Sequence, residues 1–330
     1  MAEVKPVWVR GEESLTDYWL RLFDHKKEYG LNVEQITKLL NEAYGVTYRE
    51  EKWRKDYRMF TAGREYERKL LTRDIAHRIL CISDLHIPFE LPVSTFARYK
   101  GCVDTLVLNG DITDCQSISS FSKIYRVNPI EEMVGARSYL IELVNFIQPK
   151  KLVVTYGNHD LRFQKYFVKQ LDNELLELMP RTSLELILVD GFHHYDKMTG
   201  SKIYYEPLQD VLTDVEIEYT DNWWVQIGDA VFCHPQTFSV SMLKTAQKAM
   251  AHFQANNLQF NTLIMAHTHH IGMYRIGSVT LYEQGCCADI AKLDYTDGKL
   301  YAPQQKGFIY FGQDIHGITL PKTVRLESIA

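Results

Sequence analysis

Five apolar runs in this chain end in side chains of the kinds that can ligate metal ions, and no other feature limits the fold so tightly. RILCISDLH ends in Asp84 and His86, and DTLVLNGD ends in Gly110 and Asp111. KLVVTYGNHD closes on Gly157, Asn158, His159 and Asp160; AVFCH closes on His234; NTLIMAHTHH closes on His267 and His269. Runs this short and this apolar read as buried strands. A polar residue after one strand is ordinarily a turn or a cap. Five such ends imply one crevice, because ligands of α/β sheets bind beyond the carboxyl ends of the strands. Residues 129–147 and 161–179 read as helices between strands, which predicts an α/β domain. From 184 to 234 the pattern turns β-like through VEIEY, WWVQI and AVFCH, and 275–330 reads as short strands with Gly turns.

The residue types point to a pair of cations. Two divalent ions about 3.5–4 Å apart can clamp the attacking and leaving oxygens of a phosphoryl displacement. Ions that close repel, so an anion must bridge them, and Asp111 on a Gly-preceded turn suits that place. Asn158 offers a neutral carbonyl ligand. Mixed imidazole and carboxylate donors favour Mn, Fe, Zn or Ni over Ca or Mg, with Mn the expected pair. In Asp84-x-His86 and His267-x-His269 the paired residues would share one strand face, unless the strand end splays them. Gly110 and Gly157 permit tight turns and close backbone approach.

The first 75 residues have another character, dense in charge and in helix formers. Asn32 is placed to cap a helix over Val33–Ala43, with Ile36, Leu39, Leu40 and Ala43 on one face. After Gly45, Thr47 is placed to cap a second helix to about Phe60, with Glu50 completing a capping box. The pair outlines a helix-turn-helix unit. The second helix carries Arg49, Lys52, Arg54, Lys55 and Arg58 against Glu50, Glu51 and Asp56. It reads either as a DNA-contacting surface spanning residues 32–73 or as a solvated face of paired charges. A third reading makes the apolar face of Ile36, Leu39 and Leu40 a partner-binding arm. The expected domains are residues 1–75, helical, and 76–330, carrying the metal site.

The whole chain carries 37 Lys and Arg against 42 Asp and Glu, a net charge of −5. No global basic field therefore draws it to nucleic acid or membrane. No apolar run reaches the ~18 residues of a membrane span, and the N-terminus lacks the apolar stretch of a signal peptide. Cys81, Cys102 and Cys233 sit in apolar runs, where a buried thiol is usual, and none of the 6 cysteines forms a CxxC. A cytoplasmic, reducing compartment is expected.

The series DLH…GD…GNHD…H…HTH resembles the calcineurin-like metallophosphoesterase superfamily over about residues 78–290. That resemblance implies two packed β-sheets flanked by helices. It implies Asp84, His86 and His269 on one metal, Asn158, His234 and His267 on the other, and Asp111 shared. It implies a bridging hydroxide as nucleophile, and His159 as the acid for the leaving group, oriented by Asp160. Arg162 is a candidate for a phosphate oxygen, and Asp114 a candidate partner for a ligating histidine. The chain departs from the family in carrying Ala266 where Gly usually precedes the last HxH, and Pro235-Gln236 after the lone His234. His252 is the rival to His234; His270 and the His193-His194 pair are expected to face solvent. The resemblance leaves the substrate open. A phosphodiesterase acting on DNA, a phosphomonoesterase, and a non-catalytic DNA-binding protein with a structural metal site all remain.

Overall fold

The computed structural model describes residues 9, 13–72, 75–119, 126–196, 198–293 and 304–329. The chain divides into two compact units, Met1–Arg73 and Asp74–Ala330.

Among its described residues the first unit has three helices: α1 (Leu15–Asp24), α2 (Val33–Tyr44) and α3 (Glu50–Thr72). Ser14 caps α1 by accepting the Asp17 N–H. Asn32 and Gln35 form a reciprocal capping box on α2, and Gly45 ends it with φ +65°, a left-handed cap that favours glycine. Helix α3 starts later than its Thr47 signal suggests. Asn41 holds Tyr48 non-helical: its Oδ1 accepts the Tyr48 N–H, its Nδ2 donates to the Tyr48 carbonyl, and the Trp53 indole N–H also donates to Oδ1. Tyr18, Leu22, Phe23, Ile36, Leu40 and Trp53 form this unit's core. Ile36 and Leu40 are therefore spent inside the unit, which removes the partner-arm reading.

Among its described residues the second unit contains two sheets and a hairpin. Its strands begin with β1 (His77–Ile82), β2 (Thr105–Asn109), β3 (Lys151–Thr155), the hairpin β4 (Phe192–Tyr195) and β5 (Lys202–Tyr205), and β6 (Glu216–Tyr219). They continue with β7 (Trp224–Ile227), β8 (Ala230–Cys233), β9 (Thr262–Met265), β10 (Ile271–Ile276), β11 (Val279–Gln284), β12 (Lys306–Gln313) and β13 (Arg325–Ile329). One sheet has the order β13-β12-β1-β2-β3-β6 and the other β10-β11-β9-β8-β7. Strands β1, β2, β3 and β6 run parallel, as do β8, β9 and β11.

Alternate residues of both sheets meet in one apolar layer: Ile79, Cys81, Val107 and Val153 from one, Ala230, Phe232, Ile264 and Tyr282 from the other. The outer faces are covered by α4 (Pro129–Ile147) on the first sheet and the Lys244–Ala255 helix on the second. The fold is thus the expected α/β arrangement of two packed sheets flanked by helices. Parallel strands need crossover connections, and that requirement sends the carboxyl ends of β1, β2 and β3 to one edge of their sheet, and those of β8 and β9 to one edge of theirs.

Two local expectations change. The segment 161–179 is not one helix: α5 (Arg162–Val168) stops where Gln170 N–H bonds back three residues to Phe167 O. Asp172 then turns extended before a separate short turn of helix at Asn173–Leu176. Cys102 is exposed, because it follows the left-handed Gly101 (φ +67°) in a surface turn rather than lying in β2. Among the described residues no helix is long and apolar enough to cross a membrane.

Candidate metal centre

Three of the strand ends, those of β1, β2 and β9, leave the β conformation at their first ligand. Asp84, His86, Asp111, His267 and His269 all have positive φ, between +46° and +81°. Non-glycine residues adopt this region rarely, at a cost of about 1–3 kcal/mol each. Here the surrounding backbone holds them: Asp84 N–H donates to Gly110 O and His86 N–H to Asp111 O, so β1 and β2 stay stitched together past their ends. The turns break the two-residue alternation, so Asp84 and His86 are no longer bound to one strand face.

The side chains converge. Asp84, His86 and His269 present ligand atoms within 4.8 Å of one another, and so do Asp111, His234 and His267. Asp111 Oδ2 lies 3.2 Å from His234 Nε2 and 3.9 Å from His86 Nε2, which places it against members of both groups. Asp111 Oδ1 accepts the His159 backbone N–H at 2.7 Å. Asn158 is carried between Gly157 and His159, both of which touch Asp111. A Cβ on Gly157 would stand 2.1 Å from Asp111 Oδ1, and one on Gly110 2.5 Å from His234 Nδ1. Gly157→Ala must therefore displace Asp111. Since a shift near 1 Å can cost about 100-fold in rate, that variant is expected to lose roughly that factor in kcat/KM while keeping its circular dichroism spectrum.

The hydrogen bonds orient each imidazole. His234 Nδ1 donates to Asn109 O at 2.8 Å, which leaves the Nε2 lone pair for a ligand. His269 Nδ1 faces Gln304 Oε1 at 3.1 Å. His86 Nδ1 faces Asp114 Oδ1 at 3.3 Å. With the His269 Nδ1 proton given to Gln304, its Nε2 presents a lone pair 3.2 Å from His86 Nε2 and 3.1 Å from Asp84 Oδ1. Lone pairs and a carboxylate oxygen crowded together need a cation between them. Asn158 Oδ1, His234 Nε2 and His267 Nε2 are buried with no hydrogen-bond partner, an arrangement that is costly unless a ligand completes it. This donor set fits a pair of divalent transition metals.

The charges agree. Burial alone would raise Asp84, but His269 and His234 hold it down at about 2. Burial likewise opposes ionisation of Asp111 and Asp114, and neighbouring histidines hold both well below the usual carboxylate range. Burial, with the charge on His234, pushes His267 down to about 3, so it stays neutral with a lone pair to give. His234 goes the other way: burial lowers it, but Asp111 and Asp84 outweigh that and raise it to about 9. Packed ionised carboxylates in an apolar setting demand compensating positive charge.

His159 is held by Asp114, not by Asp160. His159 Nδ1 and Asp114 Oδ1 are 2.5 Å apart, and Arg162 reaches His159 Nε2 with Nη2 at 3.0 Å and the Asp114 carbonyl with Nη1 at 2.7 Å. Asp160 instead accepts the backbone N–H groups of Gly157 and Thr113 and the Thr113 hydroxyl. It closes its own turn onto the β2 loop, and both its oxygens are occupied there. Asp114 is in turn fixed by Glu132, a buried carboxylate on α4 that accepts the N–H groups of Cys115 and Gln116. No spacing signal in the sequence reveals Glu132, Gln304 or the Asn109 carbonyl, since each acts from a different element.

The remaining histidines fall outside both ligand groups. His252 is exposed on the Lys244–Ala255 helix against Trp223. His193 is exposed and His194 half-buried on β4, a strand rather than a loop. His270 is buried, contrary to expectation, because its carbonyl accepts the Gly285 N–H at the start of the β10–β11 pair and turns the residue inward. Ala266 is buried at the close of β9, absent from the positive-φ residues, so its methyl group needs no left-handed turn.

Comparison with known proteins gives two family matches. A model described as calcineurin-like phosphoesterase matches residues 77–270, and one described as the YonJ N-terminal domain matches residues 8–72. Among solved structures, an archaeal phosphodiesterase is 13% identical with a TM-score of 0.36, covering 76% of this chain and 99% of its own. A metallophosphoesterase from Sphaerobacter thermophilus is 13% identical with a TM-score of 0.35, covering 77% and 89%. Vacuolar protein sorting 29 from Cryptosporidium parvum is 16% identical with a TM-score of 0.34, covering 78% and 100%. No curated protein matches the chain.

Proposed function

The chain belongs to the calcineurin-like phosphoesterase family, and from that premise we propose a two-metal phosphodiesterase that hydrolyses nucleic-acid strands. Asp84, His86 and His269 would hold one cation, Asn158, His234 and His267 the other, with Asp111 between them. The observation that carries this is the set of buried, unpartnered atoms Asn158 Oδ1, His234 Nε2 and His267 Nε2 around the Asp111 carboxylate. Bound there, two divalent ions would supply Lewis acidity toward the phosphoryl group and lower the pKa of a water. Mn is the proposed pair, with Fe, Zn and Ni as alternatives.

The chain's own residues do the rest. Asp114 holds His159 through Nδ1, and Nε2, which here accepts from Arg162, is the atom that would carry a proton to the departing ester oxygen once Arg162 turns to the phosphate. Arg162, already beside that Nε2, would take a non-bridging phosphate oxygen. The balance is one water and one diester giving one monoester and one alcohol. The nucleic-acid reading is favoured by residues 49–58, where Arg49 just before α3 and Lys55 and Arg58 on it are exposed and enter no ion pair among the described residues, while Arg54 and Lys52 are paired with Glu50 and Asp56.

The test strips the protein with chelator, reloads it with Mn, Fe, Zn or Ni, and offers mono- and bis-nitrophenyl phosphate beside single- and double-stranded DNA. Activity is expected to vanish on stripping and return with Mn, with diester preference and DNA cleavage. Monoester preference would select a phosphomonoesterase instead. Salt-sensitive DNA binding without turnover would select a non-catalytic protein.

A further inference from the structure

The loop after the ligand His234, residues 235–243, carries an aromatic ring to the edge of the metal centre. Phe238 stands with its ring centroid 5.4 Å from that of His267, the planes crossing at 73°. It is 54% exposed, and Val240 and Met242 beside it are 63% and 56% exposed. None of the three belongs to a hydrophobic cluster of the unit among the described residues. Leaving a phenyl group half in water forgoes much of its burial, so this ring does not serve the core. Nor is the loop loose. Ser239 N–H donates to the Oγ1 of buried Thr245 at 2.9 Å, and Ser241 N–H donates to Ser239 Oγ at 3.3 Å, which fixes the residue next to Phe238.

We propose that Phe238 is a specificity residue: it stacks on the nucleobase of the ester arm of a phosphodiester whose phosphorus sits at the metal centre. This rests on the phosphodiesterase reading and adds its substrate class. The loop PQTFSVSML has no charged side chain, so it offers neither a guanidinium for a second phosphate nor a carboxylate for a basic peptide. What it offers is an apolar surface with one aromatic ring in contact with a ligand of the cation. Every base has a π-face, so recognition by stacking tolerates sequence. A ring in contact with His267 lies within reach of one ester arm.

The test compares two diesters with the same leaving group: thymidine 5′-(4-nitrophenyl phosphate) and ethyl 4-nitrophenyl phosphate. Wild type, Phe238→Ala and Phe238→Trp, all metal-loaded, are assayed on both. Stacking of one base corresponds to roughly tenfold or more in binding. Wild type is therefore expected to prefer the thymidine ester in kcat/KM through a lower KM. Phe238→Ala should lose most of that ratio and Phe238→Trp should keep it. With the metal stripped, thymine ring protons of thymidine 5′-phosphate should receive saturation transfer from wild type and lose it in Phe238→Ala. A thymidine-to-ethyl ratio that is the same in wild type and Phe238→Ala overturns this inference and leaves the phosphodiesterase reading standing. Absence of turnover on either ester by wild type removes both.

Discussion

Asp111→Asn is expected to abolish phosphoester hydrolysis, with kcat/KM falling by at least about a thousandfold, or roughly 4 kcal/mol of transition-state stabilisation. The substitution keeps the size and shape of the side chain, and its Oδ1 can still accept the His159 N–H now bonded at 2.7 Å. What it removes is the negative oxygen 3.2 Å from His234 Nε2 and 3.9 Å from His86 Nε2. An amide at that position carries no charge to set against His234, which Asp111 and Asp84 together raise to about 9, or against a cation between the two. Two cations held close repel strongly, and a neutral bridge cannot screen them. The bound metal of chelator-treated, reloaded protein should therefore fall from about two equivalents to about one, read by elemental analysis after desalting. Circular dichroism of the metal-free variant should match wild type, because Asp111 contributes to no hydrophobic cluster. Retained turnover with a full complement of metal would remove Asp111 from the bridging place and the two-cation reading with it.

The position of the centre could be read from residue types because the physics acts on single strands. A buried strand must be apolar throughout, so polar ligands appear only where it ends, and Asp84, Asp111, Asn158, His234 and His267 stand at those ends. The same reasoning cannot say which carboxylate meets which imidazole. Asp160 is adjacent to His159 in the chain, yet its oxygens are consumed by the turn that contains it. Asp114 reaches His159 because Cys115 adopts φ +48° and Glu132 grips the Cys115 and Gln116 N–H groups from α4. Both depend on packing between distant elements. The delayed start of α3 has a similar origin, since Asn41 on α2 competes for Tyr48 and outweighs the Thr47 cap signal. Sequence patterns report what each segment would do alone, and these exceptions occur where a second segment supplies a stronger hydrogen bond.

His159→Asn tests the proton donor in a way that separates it from the metal ligands. The variant is expected to lose about 100- to 10,000-fold on a dinucleotide, whose leaving group is a basic sugar alkoxide, and less than about tenfold on bis-nitrophenyl phosphate, whose leaving group departs without a proton. The reason lies in the geometry. The hydrogen bond from residue 159 to Asp111 is made by the backbone N–H and survives the substitution, while the ring Nε2 stands 3.9 Å from Asp111 Oδ2. The ring is engaged elsewhere, with Nδ1 held by Asp114 and Nε2 turned toward Arg162, the side from which a phosphate would be gripped. Metal content should stay at the wild-type level. Asp114→Asn should shift the same way by a smaller factor, because an amide can still touch Nδ1 but no longer stabilises the protonated ring. A plot of log kcat against leaving-group pKa makes the comparison, with a steeper slope expected for both variants. Equal losses on the two substrates, or a loss of metal in His159→Asn, would assign His159 to the metal centre itself and leave the leaving group without a donor from this chain.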